Sequence, residues 1–129
     1  MIDLLETDRL KKAIEQSPTD FKQILEQTHL CVCITDENGN YVHANTNYFS
    51  MLGYQPEEMI GKSFLMVMPP ETKTELSDLH EKFIEYQTEL FRSWEIVDKQ
   101  GRRIKISVDA GYSEKLINAP TKLTFVQPE

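Results

Sequence analysis

Hydrophobic and polar positions at the start of the chain follow a helical period. Residues 3–16 place apolar side chains at helical spacing with charges between them, which predicts an amphipathic helix. Pro18 interrupts this pattern within residues 17–20, because proline is poorly tolerated inside a helix. Apolar positions then resume and predict a second short helix over residues 21–27. The chain therefore begins with two helices before any strand.

The next segment, residues 30–44, changes to the period of two that is typical of strands. Apolar residues alternate with cysteines over residues 30–35, and a second strand is predicted over residues 41–44. Asn38 and Gly39 lie between the two strands, and both residue types tolerate positive φ in tight turns. The pattern therefore predicts a β-hairpin.

Helical spacing returns after the hairpin and then gives way to strands. The predicted helical or apolar segments are residues 45–52, 55–61, 64–68 and 71–87. The predicted strands that follow are residues 90–97, 102–112 and 122–126. Strands grouped at both ends of a helical insert indicate an α+β domain, with an antiparallel sheet that carries helices on one face.

Composition and charge narrow the possible partners. The 129 residues are 40% hydrophobic and 27% charged, which is typical of one globular domain with a sizeable core. The formal net charge of −7 argues against nucleic acid or an anionic membrane surface as a partner. No apolar run approaches the roughly 20 residues of a membrane helix. With Cys31 and Cys33 as the two cysteines and no secretory segment, we expect a reduced, cytoplasmic protein.

Several motifs in order along the chain resemble the PAS domain family. They are residues 35–39 (TDENG), 42–45 (VHAN), 53–62 (GYQPEEMIGK) and 98–101 (DKQG). The resemblance implies a five-stranded antiparallel sheet in the order 2-1-5-4-3, with short helices forming a pocket over one face. We expect residues 20–127 to form the PAS domain and residues 1–19 to form a flanking helix. Many members end their last strand in Asp-Ile-Thr before a coiled-coil linker, whereas this chain ends in FVQPE. This leaves open an effector that was cut away, a stand-alone module or a C-terminal module.

The resemblance implies a sensory module of signal transduction, as in two-component systems, that acts on an effector or kinase domain in cis or in trans. Flanking helices in this family often pack against a second subunit, so a homodimer is expected through Leu4, Leu5, Leu10 and Ile14. The alternative is that this helix covers the sheet of its own chain. The other functional hypothesis is an interaction module that binds no ligand. Enzyme signatures such as a phosphate-binding glycine loop are missing from the sequence, so we do not expect an enzyme.

His80 is the sharpest candidate for cofactor chemistry. Heme-binding PAS domains of oxygen-sensing kinases carry a histidine on this helix, followed at +3 and +4 by an aromatic and an aliphatic residue, as in residues 80–84 (HEKFI). Arg92 lies near the position where those sensors place an arginine beside bound oxygen. Against a heme, the separation of His80 from Pro69 and Pro70 is longer than in those sensors, and their strand entry rich in glycine and isoleucine is missing. The alternative is a solvated helix histidine.

Other cofactors are less favoured by the sequence. His29, Cys31 and Cys33 fall on one face of a strand, but ligands at i and i+2 lie about 7 Å apart along a strand, too far for one tetrahedral ion. The reactive cysteine of light-sensing flavin domains is missing from residues 61–68, which leaves a non-covalent flavin open.

Large apolar side chains cluster where the family places its pocket, and two readings of them remain open. They either fill the pocket as core or line it for an apolar or planar ligand. The cluster consists of Phe64, Leu65, Met66, Val67, Met68, Phe83, Ile84 and Trp94, joined on the neighbouring strand by Ile106.

Overall fold

A computed structural model describes residues 1–87 and 92–129, with only the backbone described for Arg92. The strands are β1 (Cys31–Asp36), β2 (Tyr41–Ala44), β3 (Arg92–Val97), β4 (Arg103–Ser113) and β5 (Thr121–Pro128). The helices are α1 (Leu4–Gln16), α2 (Phe21–Glu26), α3 (Thr46–Leu52), α4 (Pro56–Met59) and α5 (Lys73–Tyr86). Short 3-10 helices occupy Pro18–Asp20, Phe64–Val67 and Pro70–Thr72. Within the described residues, no helix is long and apolar enough to cross a membrane.

The strands form one antiparallel sheet of five in the order β2-β1-β5-β4-β3, which confirms the predicted fold. The first and last strands in sequence, β1 and β5, pair along six positions from Cys31↔Val126 to Asp36↔Thr121. This pairing brings the two ends of the domain together at the centre of the sheet. The first two residues of the predicted strand 90–97 lie outside the described residues.

Local hydrogen bonds explain where the hairpin turns and where the first helix after it begins. The Asp36 carboxylate accepts backbone N–H bonds from Asn38 and Asn40, and Gly39 closes the turn at φ +82°. Asn45 caps α3 by accepting a bond from the Tyr48 backbone N–H. The predicted turn is therefore stabilised by contacts within a few residues, and so is the start of α3.

Helices cover both faces of the sheet. We call the face under α1 and α2 the packed face, and the face under α3 and α5 the cavity face. On the packed face, residues from the helices and from alternate positions of β1 and β5 form one cluster: Leu10, Ile14, Phe21, Leu25, Leu30, Val32, Ile34, Leu123 and Phe125. On the cavity face, the other alternate positions of the same strands, including Cys31, Cys33 and Val126, form a second cluster.

The apolar stripe predicted on α1 is divided between the core and the surface. Leu10 and Ile14 are buried against the sheet of the same chain, whereas Leu4 is 42% exposed and Leu5 is 87% exposed. Packing of α1 on the sheet of its own chain, the alternative to a dimer contact, therefore explains why Leu10 and Ile14 are buried. It also buries Ser107 on β4, because the N-terminal segment lies across that side of the strand.

Candidate functional site

A small cavity of about 40 Å³ lies between the cavity face of the sheet and α5. Most of its lining is apolar: Phe64, Met68, Leu76, Trp94, Ile96, Ile106, Val108 and Val126. The rest is polar: Cys33, Thr35, Tyr41, Tyr48, His80, Lys122 and Thr124. The polar residues come from β1, β2, α3, α5 and β5, so only the folded chain brings them together.

A buried hydroxyl and thiol cluster forms one side of the cavity. The Tyr41 and Tyr48 hydroxyls are 2.7 Å apart and share a hydrogen bond. Burial raises the pKa of both phenols well above their usual value. Burial also raises the pKa of the Cys33 thiol to about 11, although the Tyr48 and Thr124 hydroxyls are within hydrogen-bonding reach of it. All these groups are therefore neutral near pH 7, and the thiol is unreactive.

His80 joins α5 to the hairpin turn. It is only 5% exposed, so its interpretation as a solvated helix histidine is wrong. Its Nε2 lies 2.9 Å from the Asp36 backbone carbonyl, and since a carbonyl only accepts, Nε2 must carry the proton and donate it. Burial lowers the pKa of the imidazole, which keeps the ring neutral. The ring also packs against Phe64, with 5.4 Å between ring centres.

Lys122 supplies the charged side chain of the lining. It is 7% exposed and lies on β5, in the same row as Thr124 and Val126. Its Nζ lies 4.8 Å from the centre of the Phe83 ring, a cation–π distance. The ammonium is therefore held beside an aromatic ring that is itself outside the lining.

The structure places some of the residues predicted for the pocket in its lining and others outside it. Phe64, Met68, His80, Trp94 and Ile106 line the cavity. Met66, Phe83 and Ile84 do not line it, and the side chain of Arg92 lies outside the described residues. On α5, Leu76, His80 and Phe83 share one buried face, and Phe83 lies one turn beyond His80, where its ring packs against Tyr112 and Lys122 rather than the cavity.

The polar side of the site was not predicted from the sequence. Thr35 and Cys33 on β1, and Lys122 and Thr124 on β5, occupy alternate positions that face the cavity. Their alternation with Leu123 and Phe125 is visible in the sequence as a strand period of two. That signal could have assigned them to one face, although not to a cavity.

The cofactors considered from the sequence do not fit this geometry. An engineered cavity of about 150 Å³ binds benzene, and a heme or a flavin is several times larger than benzene, so neither fits in 40 Å³ with the lining as it stands. The His80 Nε2, the atom that would bind iron, already donates to Asp36. In the described part of the chain, no group of three or more His, Cys, Asp or Glu side chains is arranged to hold a metal ion. His29, Cys31 and Cys33 thus do not assemble into a metal site.

Comparison with protein families gives one match over most of the chain. The profile of the PAS fold matches residues 19–114, which leaves α1 before the matched region. No curated protein sequence is significantly similar to the chain.

Solved structures show the same fold at low sequence identity. A PAS domain from Desulfitobacterium hafniense is 20% identical with a TM-score of 0.74, over 84% of this chain and 100% of that one. A PAS domain from a two-component sensor histidine kinase is 12% identical with a TM-score of 0.71, over 89% of this chain and 98% of that one. A LOV protein from Rhodobacter sphaeroides is 11% identical with a TM-score of 0.68, over 98% of this chain and 68% of that one. At such identities the likeness concerns the fold alone.

Proposed function

Since the chain belongs to the PAS fold family, a family of sensory modules found in signal-transduction proteins, we propose that it binds a small molecule in its internal cavity and relays that signal to a partner. PAS domains are in general sensory rather than catalytic, and we expect no enzymatic activity from this chain. The partner would be an effector or kinase domain, in the same chain or in another one. Two free, buried cysteines favour a reducing, cytoplasmic location.

The observation that carries this proposal is the difference between the two sides of β1 and β5. On the packed face, these strands bury aliphatic and aromatic side chains such as Ile34 and Phe125. On the cavity face, they present Thr35, Lys122 and Thr124 to a cavity. Ligand sites are mostly apolar and carry a few polar groups that orient the ligand, and this lining has that composition. The polar side chains therefore favour a binding role.

The position of the cavity suggests how occupancy could be transmitted. His80 and Phe64 line it, and His80 donates a hydrogen bond to the hairpin turn at Asp36. A ligand that displaces either ring would strain this bond and so act on β1. Since β1 also packs under α1 and α2 on the opposite face, a ligand-induced change in β1 would be transmitted to the N-terminal helix.

Ligand binding is tested by native mass spectrometry of the purified protein, together with thermal shift measurements against a library of small molecules. We expect a bound small molecule, or library members that raise the melting temperature by several degrees through preferential binding to the folded state. An absorption spectrum of the same sample would reveal a heme or a flavin. The proposal fails if no compound shifts the melting temperature of the wild-type protein.

A variant that fills the cavity provides the control. Val126→Leu adds one methylene to the lining, an increment small enough for 40 Å³. We expect it to retain the fold and to lose the ligand-induced thermal shift. An unchanged shift would mean that the ligand binds outside this cavity.

We propose dimerisation as the second function, because the N-terminal segment leaves large apolar side chains uncovered. Leu4 and Leu5 remain exposed on α1, while Leu10 and Ile14 are buried within the chain, so a contact with a second copy would use the first turn of the helix. Analytical ultracentrifugation tests this. We expect Leu5→Glu to shift a dimer toward monomer, and a wild-type monomer at high concentration would contradict the proposal.

The matched control for that experiment is Gln16→Glu. Gln16 is exposed at the end of the same helix, and the substitution adds the same negative charge. We expect it to leave the association unchanged.

A further inference from the structure

The Trp94 indole is an unsatisfied donor at the cavity. Its Nε1 is buried and has no hydrogen-bond partner among the described residues, and Trp94 is part of the cavity lining. Among the described side chains, the other two buried polar atoms in this condition belong to His43 and Ser107, which are not part of that lining. A buried N–H without an acceptor is destabilising, so an acceptor supplied from inside the cavity would be favoured.

The rest of the lining limits what could supply that acceptor. It consists mainly of apolar side chains and aromatic rings, and the His80 ring is neutral because burial lowers its pKa. A cationic ligand would be costly to bury beside the Lys122 ammonium of this lining, and that ammonium already lies against the Phe83 ring outside the lining, so the site does not require an anion. Aromatic rings on several sides favour a flat ligand, which can pack edge-to-face or offset against them.

Phe64 is the residue that controls the size of the site. It lines the cavity and is also partly exposed, so its ring separates the cavity from solvent. It lies on the short 3-10 helix Phe64–Val67, against the His80 ring. The present 40 Å³ holds about one water molecule, so a six-membered ring could enter only if Phe64 moves outward.

We propose that the site takes a small, neutral, planar ligand whose ring nitrogen or carbonyl oxygen accepts a hydrogen bond from Trp94 Nε1, with Phe64 as the movable wall. This inference rests on the proposed ligand-binding function and specifies the chemical class of the ligand. Trp94 is then the residue that selects for a hydrogen-bond acceptor on the ligand, and the apolar lining selects for a ligand that is otherwise flat and uncharged.

Pyridine and benzene are suitable probes, because they have the same shape and differ in one acceptor nitrogen. Trp94→Phe removes the donor and keeps an aromatic ring at that position. Both probes are titrated into the wild-type protein and into Trp94→Phe, with affinities measured from the backbone amide shifts of β3 and β4. The same titrations are made in the Phe64→Ala background, where the wall is removed.

We expect Trp94→Phe to weaken the affinity for pyridine about five- to tenfold, which is the ratio that one hydrogen bond contributes. The affinity for benzene should change less than twofold. The chain has one tryptophan, so its indole N–H gives a single resonance in a nitrogen–proton correlation spectrum. That resonance should move downfield with pyridine and not with benzene, which provides a second measurement independent of the variant.

Two outcomes overturn the inference. If both probes bind and Trp94→Phe affects them equally, the cavity binds ligands but Trp94 does not select for an acceptor, and the proposed function stands. If neither probe binds even to Phe64→Ala, the ligand class is wrong. The proposed function is then judged by its own thermal shift test and the Val126→Leu control.

Discussion

The two faces of the sheet are built from the same strands and have opposite characters. On β5, Leu123 and Phe125 point to the packed face, while Lys122, Thr124 and Val126 point to the cavity face. The packed face shows the close packing of aliphatic side chains that stabilises small domains. The cavity face contains hydroxyls, a thiol, an imidazole and an ammonium group around a void. One face thus contributes mainly stability, and the other combines some stability with the cavity that we propose as the ligand site.

The largest expected loss of stability comes from removing a large side chain from the packed face. Phe125 is fully buried in this cluster, so Phe125→Ala should lower the free energy of unfolding by about 3–5 kcal/mol. Phe64→Ala, at the partly exposed wall of the cavity, should cost only about 1–2 kcal/mol. Urea denaturation of both variants measures the difference. Equal losses would show that the cavity face is as tightly packed as the other one.

The second prediction concerns Asn45, which ties α2, β1 and α3 together. Its side-chain oxygen accepts from the Val32 and Tyr48 backbone N–H groups, and its Nδ2 donates to the Leu25 and Leu30 carbonyls. Asn45→Ala would leave these buried backbone groups without partners, so we expect a loss of about 2–3 kcal/mol in the free energy of unfolding.

Asn47→Ala is the matched control for that substitution. The Asn47 amide also donates to two carbonyls, of Thr28 and Leu30, but the residue is exposed. Water can replace its bonds, so we expect a loss below about 1 kcal/mol in the same denaturation experiment. If the two variants are equally destabilised, burial does not explain the importance of Asn45.

The third prediction tests the contact between the hairpin turn and the wall of the cavity. A methyl group on Gly39 would lie 3.0 Å from the Phe64 ring, and the backbone has φ +82° there. Gly39→Ala should therefore cost roughly 2 kcal/mol, from backbone strain and crowding together. Gly61 has a similar φ of +87° with open space around it, so Gly61→Ala should cost only about 1 kcal/mol. Equal costs in thermal denaturation would mean that Phe64 moves aside freely.

The smallest effect concerns acidification, and it compares one histidine from each side of the sheet. Burial lowers the pKa of His80 at the cavity and of His43, which packs edge-on against Phe21. The unfolded chain takes up these protons near pH 6.5, before the folded chain does, so the free energy of unfolding should fall as pH decreases below about 6.5.

Denaturation of the wild type, His80→Gln and His43→Gln at pH 7.5 and pH 5.5 measures these contributions separately. Each variant should lose part of the dependence on pH. A wild-type stability that stays constant over this interval would contradict the burial of both neutral rings.

Much of the local structure could be predicted from the sequence, because its causes lie within a few residues of each other. The Asn38–Gly39 turn, the short helix after the hairpin and the strand β4 were all visible as short-range patterns. The PAS motifs then gave the strand order, which the structure confirms.

Only the tertiary structure decided what covers each side of these elements. The period of a strand divides Lys122 and Thr124 from Leu123 and Phe125, but it does not tell which side meets a helix and which a cavity. His80 was expected either to face solvent or to bind a heme iron. Instead it donates a hydrogen bond to the backbone carbonyl of Asp36, a residue 44 positions away. These outcomes depend on contacts between segments distant along the chain, and local periodicity carries no information about such contacts.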